Sequence, residues 1–165
     1  SAGAARTIYA RLLERFAPAR HPDPARLLSL RTNTLRSCGL SRQKIDYLRS
    51  LASEFEGGGL EGVRLSSLED AGVIERLTSV RGIGVWTAEM FLIFALGRLD
   101  VFPHNDLGVR ISIRDRYGLD DLPDKDASFE IAAPWRPYAS VASWYCWRSL
   151  DLGRNGNSVA KGYPT

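Results

Sequence analysis

The stretch that decides the fold is residues 77–110, LTSVRGIGVWTAEMFLIFALGRLDVFPHNDLGVR. A glycine-containing turn at residues 80–84 separates one helical pattern from a segment, residues 85–96, that is apolar on most faces. Because glycine permits positive φ and close backbone approach, the turn is predicted to be a tight helical hairpin. The apolar segment is expected to be a buried central helix. An extended connection then leads to a lone carboxylate, Asp106.

The composition is that of an ordinary soluble domain, with 165 residues, 44% of them hydrophobic and 25% charged. The net charge of +3 is compatible with an anionic partner without requiring one. No apolar run reaches the roughly 18 residues of a membrane span, so a cytosolic protein without a membrane partner is expected, and we predict a monomer.

The cysteine count limits the metal chemistry. Cys38 and Cys146 are the only two cysteines, and they lie far apart in the sequence. A zinc or iron–sulfur site built from cysteines alone is therefore excluded. We expect two reduced, buried thiols, although a disulfide stays open. No metal or other cofactor is indicated.

The rest of the chain reads as one helix after another, without an alternating strand pattern or an internal repeat. Helices are predicted at 4–16, from Pro24 towards Gly39, at 41–55, from Ser66 to about Leu77, from Asn105 or Asp106 to Tyr117, near 128–132 and at 137–150. The fold class is therefore all-α, with one compact helical domain over residues 1–151. Residues 152–165 are predicted to be a disordered tail, because they are rich in Gly and Asn.

Cap signals set several of these boundaries. Asp23 precedes Pro24, an arrangement typical of an N-cap followed by the first helical residue. Ser41 is predicted to cap the next long helix, and Ser66 and Glu69 have the spacing of a capping box.

The hairpin also predicts a binding chemistry. The helix that starts after the turn has free backbone N–H groups and the positive end of its dipole, which together bind a phosphate. Gly82 and Gly84 would admit the backbone of a DNA strand, and Arg81 and Thr87 would add contacts to it. Taken alone, a Gly-Ile-Gly turn equally describes a plain connection between two helices.

Together these motifs resemble the helix–hairpin–helix (HhH-GPD) DNA glycosylase superfamily. Within it they are most similar to the alkylpurine branch, the bacterial 3-methyladenine DNA glycosylase II type. The resemblance is carried by GIGVWTAEMFLIF at 82–94, DVFPHNDLGVR at 100–110 and PWRPYASVASWYCWR at 134–148, with GLSRQKIDYLRSLA at 39–52 beside them. It covers most of residues 1–151. It implies a helical DNA glycosylase of base excision repair that acts on alkylated purines in double-stranded DNA after base flipping.

The resemblance gives Asp106 the catalytic role. Cleavage of an N-glycosidic bond builds positive charge on the deoxyribose, and a nearby carboxylate stabilises that charge. An N-cap aspartate is the alternative explanation for the same residue. Asp100 is the competing carboxylate, but it falls at the exit of the apolar helix.

The position that holds a Schiff-base lysine in bifunctional relatives is Trp86 here. A monofunctional hydrolysis without a lyase step is therefore implied. The iron–sulfur cluster of many such relatives is excluded by the cysteine count.

A cationic flipped base favours electron-rich rings. The resemblance selects Trp144 as the base-stacking residue and Trp86 second, with Met90 one turn later in the same pocket. His104 and Asn105 are weaker candidates for contacts to DNA or to the sugar. Each tryptophan also has a plain explanation as a core residue.

Arg136 and Arg148 fit DNA phosphates or ordinary surface ion pairs. Family members carry a helical segment ahead of the match to Ser1, including a side chain that wedges into the DNA. An N-terminal part is therefore expected to be missing, and the wedge is not identified. Two alternatives stay open: a non-catalytic helix–hairpin–helix DNA-binding module, and a helical protein with neither role.

Overall fold

The computed structural model describes residues 2–60 and 64–154. Within these ranges the chain is helical and contains no β-strand, which confirms the all-α prediction. The helices are α1 (Ala2–Leu13), α2 (Pro24–Ser29), α3 (Thr32–Ser37), α4 (Arg42–Glu56), α5 (Asp70–Thr78), α6 (Val85–Phe94), α7 (Leu107–Tyr117), α8 (Lys125–Ala132) and α9 (Ala139–Arg154). None of these described helices is long and apolar enough to cross a membrane.

The chain divides into two compact units, residues 1–83 and residues 84–165, and the boundary lies inside the glycine turn. Helix α9 continues to Arg154, so the predicted disordered tail is wrong for residues 152–154. The remainder of that prediction, residues 155–165, lies outside the described residues.

The first unit is built on the apolar faces of α1 to α4. Its core consists of Leu12, Phe16, Leu27, Leu35, Leu40, Ile45 and Ala52. Phe55, near the C-terminal end of α4, is 43% exposed. Cys38 is buried in this unit and Cys146 in the other, and both thiols are free.

The cap predictions were correct at two of three helix starts. The Asp23 carboxylate accepts a hydrogen bond from the Arg26 amide at 2.7 Å, and the Ser41 hydroxyl accepts one from the Lys44 amide at 3.2 Å. The capping box was wrong. Ser66 lies in a separate 3-10 turn, Leu65–Ser67, and α5 starts only after Glu69, which makes no side-chain cap.

The second unit is organised by α6, α7 and α9. Val109 and Ile113 of α7 are buried in one cluster with Cys146 and Trp147 of α9. The Ser112 and Ser149 hydroxyls lie 3.1 Å apart between the same two helices. Helix α7 ends at Tyr117, as the sequence predicts, and its C-cap residue Gly118 has a φ of +65°.

Helix α6 differs from its prediction in burial. Ala88 and Leu92 are fully buried, but Val85, Trp86 and Phe94 are each more than two-fifths exposed. One charged residue, Glu89, is buried instead, at 5% exposure. The uniform apolarity of the sequence therefore serves two purposes, a core on one face and an exposed aromatic surface on the other.

Candidate functional site

The second unit places one carboxylate among three hydrogen-bond donors. Asp106 Oδ1 accepts a bond from the Trp147 indole Nε1–H at 2.7 Å and another from the Val109 backbone N–H at 2.9 Å. Asp106 Oδ2 accepts a bond from the Trp86 indole Nε1–H at 2.7 Å. These three bonds fix the orientation of the carboxylate group, since donors approach its oxygens along their lone pairs.

Three elements converge on this carboxylate. Asp106 is the N-cap residue of α7, with an extended φ of −68° and ψ of 121°, so its side chain lies over the first turn of the helix. Trp86 comes from the first turn of α6 and Trp147 from the buried face of α9. The cap explanation for Asp106 is therefore correct, and it coexists with contacts that a cap does not need.

The start of α9 is tied to the chain that follows α6. The Ser140 hydroxyl donates to the Arg98 carbonyl at 2.7 Å and accepts from the Val101 amide at 2.9 Å. The Ser140 amide donates to the Leu99 carbonyl at 2.9 Å. These bonds fix the start of α9 next to residues 98–101, and with the α7–α9 packing they hold Trp147 against Asp106.

A cavity of about 370 Å³ opens beside the carboxylate. This size is near the lower end of the roughly 300–1,000 Å³ typical of ligand pockets. Apart from the Asp106 carboxylate, its lining residues are apolar side chains and one glycine: Trp86, Met90, Phe94, Asp106, Gly108 and Trp147. Three of them recur every fourth residue on one face of α6, and the ring centres of Phe94 and Trp147 lie 5.7 Å apart.

Gly108 provides space in this wall. A Cβ built at Gly108 would lie 3.0 Å from Trp147 Cδ1 and 3.1 Å from Asp106 Oδ1. Both approaches are tighter than ordinary van der Waals contacts. The absence of a side chain at this position therefore lets the indole and the carboxylate come together.

The predicted base-pocket residues are not all brought together. Trp86 and Met90 line the cavity, whereas Trp144 is absent from its lining. Trp144 is 41% exposed, and its ring stands edge-on to Tyr145 with 5.2 Å between the centres. Trp147, three residues later, lines the cavity and is only 5% exposed.

The residues predicted to bind the DNA backbone are all exposed. In the first unit, Arg81 and Gly82 follow α5, and Gly82 has a φ of +95°. A Cβ at Gly82 would overlap the ring of Tyr47, so only glycine fits there.

In the second unit, Gly84 is the N-cap of α6 and supplies no side-chain cap. A Cβ built at Gly84 would meet no heavy atom within 4 Å, and Thr87 is exposed in the first turn of the helix. The amide end of α6 is thus left open to an outside acceptor.

The other candidates do not line the cavity: Asp100, His104, Asn105, Arg136 and Arg148. Asp100 binds the Arg136 guanidinium at 2.8 Å and the Ala139 amide at 3.3 Å, which gives both Asp100 and Arg136 a structural role. Asn105 is exposed. The His104 ring is 5.0 Å from the ring of Phe129, and its Nδ1 is 4.0 Å from Glu89 Oε1. Arg148 lines a separate cavity between α7 and α9.

Sequence analysis did not predict a role in the site for two residues, Glu89 and Trp147. Burial, and then the charge of Asp106, raise the pKa of Glu89 to about 7. A glutamate in the middle of an apolar helix is the available signal for such a residue. Trp147 was missed because its spacing from Trp144 does not say which of the two indoles faces α7.

Comparison with known proteins agrees with this architecture. Residues 1–137 match the model of the HhH-GPD superfamily of base excision DNA repair proteins. DNA-3-methyladenine glycosylase 1 of Schizosaccharomyces pombe is 36% identical over 153 residues, which cover 90% of this chain and 66% of that protein. A DNA-3-methyladenine glycosylase of Bacillus subtilis is 30% identical over 129 residues, which cover 78% of this chain and 43% of that protein.

Two solved structures are similar to the chain. The S. pombe 3-methyladenine DNA glycosylase in complex with abasic DNA superposes with a TM-score of 0.77 at 30% identity, covering 92% of this chain and 80% of that one. A DNA-3-methyladenine glycosidase from Bacillus halodurans superposes with a TM-score of 0.78 at 35% identity, covering 94% and 71%. The chain spans only part of the length of these curated relatives. It belongs to the HhH-GPD superfamily of base excision DNA repair proteins.

Proposed function

We propose that the protein is a monofunctional DNA glycosylase that hydrolyses the N-glycosidic bond of alkylated purines, of the 3-methyladenine type, in double-stranded DNA. The observation that carries the proposal is the Asp106 carboxylate, which both faces an aromatic cavity and is oriented by three donors. Relatives with 30–36% identity are named as DNA-3-methyladenine glycosylases.

The proposed chemistry follows from the charge that develops. As the alkylated base departs with the bonding electrons, the deoxyribose becomes cationic, and Asp106 stabilises that cation. Water then bonds to the anomeric carbon and loses a proton, which leaves an abasic sugar. The indole donors Trp86 and Trp147 hold the carboxylate before the reaction, so little reorganisation is needed in the transition state. A 3-methyladenine in DNA already carries positive charge, and its departure therefore needs no paired acid.

The base pocket is assigned to the rings beside Asp106. Trp86 and Met90 line the cavity and would contact the flipped base, since electron-rich faces attract a cationic ring. Trp144 stays in the proposal as an exposed aromatic surface on α9 that a base can stack on. Trp147 is added to it as the donor that orients Asp106.

Arg81, Gly82, Gly84 and Thr87 are proposed to bind the DNA backbone. All are exposed, and the two glycines are supported by separate observations: the positive φ at Gly82 and the uncapped start of α6 at Gly84. Backbone amides at a helix N-terminus bind phosphate without reading sequence. The proposed partner is therefore double-stranded DNA with an alkylated base, and the proposed setting is the cytoplasm of a cell that repairs its DNA.

A lyase step is not part of the proposal. The position of the lysine that forms a Schiff base in bifunctional relatives is Trp86, whose indole binds Asp106. Strand cleavage should therefore appear only after hot alkali treatment of the reaction products.

The test is base release from a duplex with one 3-methyladenine, compared with a duplex with one 1,N6-ethenoadenine. Release of a free base and formation of an abasic site support the proposal, and the ratio between the two duplexes ranks the substrates. Binding of both duplexes with no release of either base would instead support the non-catalytic DNA-binding module.

A further inference from the structure

Glu89 is a buried carboxyl group that the proposed reaction does not yet use. It lies on α6 one turn after Trp86, and its side chain is only 7% exposed. Its Oε2 atom is buried and has no hydrogen-bond partner among the described residues. An unpaired buried carboxylate is costly, so such a group is retained only where its neutral form or a nearby partner stabilises it.

The polar side chain beside this carboxyl is His104, which lies in the loop that carries Asp106. Glu89 Oε1 lies 4.0 Å from His104 Nδ1, which is too long for a direct hydrogen bond and within ion-pair range. The His104 amide donates to the Phe102 carbonyl, and the Asp106 amide donates to the Pro103 carbonyl, both at 2.9 Å. The histidine and the catalytic candidate thus belong to one tight turn.

We propose that Glu89 is a positioning residue that acts through His104 to hold this turn, and with it the carboxylate of Asp106, in place. The inference rests on the proposed function, because it gives Glu89 a part in the same reaction. Glu89 does not line the cavity, so its proposed action is on Asp106 and not on the substrate.

The charges around the pair favour an uncharged state. Burial, and then the charge of Asp106, raise the pKa of Glu89 from 4.5 to about 7. Burial, and then the charges of Lys125 and Arg110, lower the pKa of His104. Below pH 7, Glu89 is therefore a neutral acid packed beside His104, and above pH 7 it becomes a second carboxylate beside Asp106. Repulsion between the two carboxylates would then displace the turn.

The experiment measures single-turnover release of 3-methyladenine between pH 6 and pH 9, corrected for spontaneous loss. The wild-type rate is expected to fall about tenfold above pH 7. In Glu89→Gln, which is always neutral and has nearly the same size, that fall should shrink to about twofold or less. Glu89→Ala should be slower than Glu89→Gln by about fivefold at pH 6.5, because it leaves a space beside His104 into which the turn can shift. The exposed Glu130 on α8 provides the control, and Glu130→Gln should keep the wild-type profile.

A second measurement does not depend on activity. The chain has two histidines, so in a His21→Gln background the ring signals of His104 are the only ones left. Their NMR shifts should show a second inflection near pH 7, from Glu89, that is absent in Glu89→Gln.

The outcomes separate the two proposals. An unchanged alkaline fall in Glu89→Gln, equal rates for Glu89→Gln and Glu89→Ala, or no second inflection of His104 would overturn the role of Glu89 while base release stands. If the wild type releases no base at any pH although the inflection is present, the proposed glycosylase function itself has failed, and the inference that rests on it is withdrawn too.

Discussion

At the scale of single residues, Asp106 illustrates how one side chain serves a fold and a proposed reaction together. Its Oδ1 caps α7 through the Val109 amide and also accepts the Trp147 indole bond, and its Oδ2 accepts the Trp86 indole bond. Hydrogen bonds to a charged group contribute about 1.5–3 kcal/mol each, more than a surface cap alone. The same bonds that stabilise the helix start therefore also hold the charge towards the cavity.

The contribution of the buried indole donor is testable with Trp147→Phe, which keeps an aromatic ring and removes the Nε1–H bond to Asp106. Loss of this orientation should lower the rate of base release by about tenfold or more, equivalent to about 1.4 kcal/mol of barrier. Single-turnover kinetics on the 3-methyladenine duplex provide the measurement. Trp135→Phe is the matched control, because the Trp135 indole donates to the Tyr117 hydroxyl at 3.4 Å and not to Asp106. Equal losses in both variants would show that ring packing, and not the donor, is responsible.

Glu89 also makes a prediction about stability. Its pKa in the folded protein is raised from 4.5 to about 7, so folding favours its protonated form. Its contribution is fully present below pH 4.5 and is lost as the pH rises through 7, with a maximum loss of about 3 kcal/mol. Glu89→Gln does not titrate, and its free energy of unfolding should exceed that of the wild type at pH 8 by about 1–3 kcal/mol more than at pH 5. Urea unfolding at the two pH values measures this difference, and an identical difference at both would contradict it.

At the scale of elements, the ends of the helices are where structure and proposed function meet. Helix α6 begins at Gly84 without a side-chain cap, and α7 begins at Asp106 with one. The start of α6 is thus open to an anion from a bound molecule, whereas the start of α7 already binds the Asp106 carboxylate. Sequence reasoning predicted both starts, since N-cap residues and glycine turns are local signals.

The open start of α6 is tested by Gly84→Asp. The extended backbone of Gly84 accepts any residue, and an aspartate there would cap the helix, so folding should be kept or improved by roughly a few tenths of a kcal/mol. DNA binding should weaken several-fold, because the carboxylate competes with a phosphate for the same amides, and the salt slope of binding should fall by about one unit. Gly3→Asp, which adds the same charge at an open and exposed site of α1, is the control. Equal weakening in both variants would show that the added negative charge alone, and not its place at the start of α6, weakens DNA binding.

The close approach of Trp147 and Asp106 at Gly108 is tested by Gly108→Ala. The added methyl group would crowd Trp147 and Asp106, so base release should fall by about fivefold or more while the helix itself gains propensity. Gly72→Ala on α5 is matched to it, because that Cβ would lie at an ordinary 3.7 Å from Leu68 Cβ. A rate that is unchanged in Gly108→Ala would mean that the indole and the carboxylate can move without consequence.

At the scale of the whole molecule, the sequence predicts the all-α class because periodic apolar stripes and caps are local properties of the chain. What it does not predict is the direction of long-range contacts. The rotation of α9 decides that Trp147 and not Trp144 meets Asp106, and this rotation depends on the Ser140 bonds and on packing against α7. The burial of Glu89 and the exposure of Trp86 on one apolar helix have the same origin, because only the assembled unit defines its inner face.

The measurement that tests the central claim most directly is base release by Asp106→Asn. Asparagine keeps the cap of α7 through its carbonyl oxygen, and its NH₂ group would face the Trp86 indole donor, so the helix start survives while the charge is lost. On a duplex with one 3-methyladenine, we expect single-turnover release to fall by at least about 100-fold, with DNA binding retained within a few-fold. Release by Asp106→Asn at the wild-type rate would contradict the assignment of Asp106 as the catalytic carboxylate.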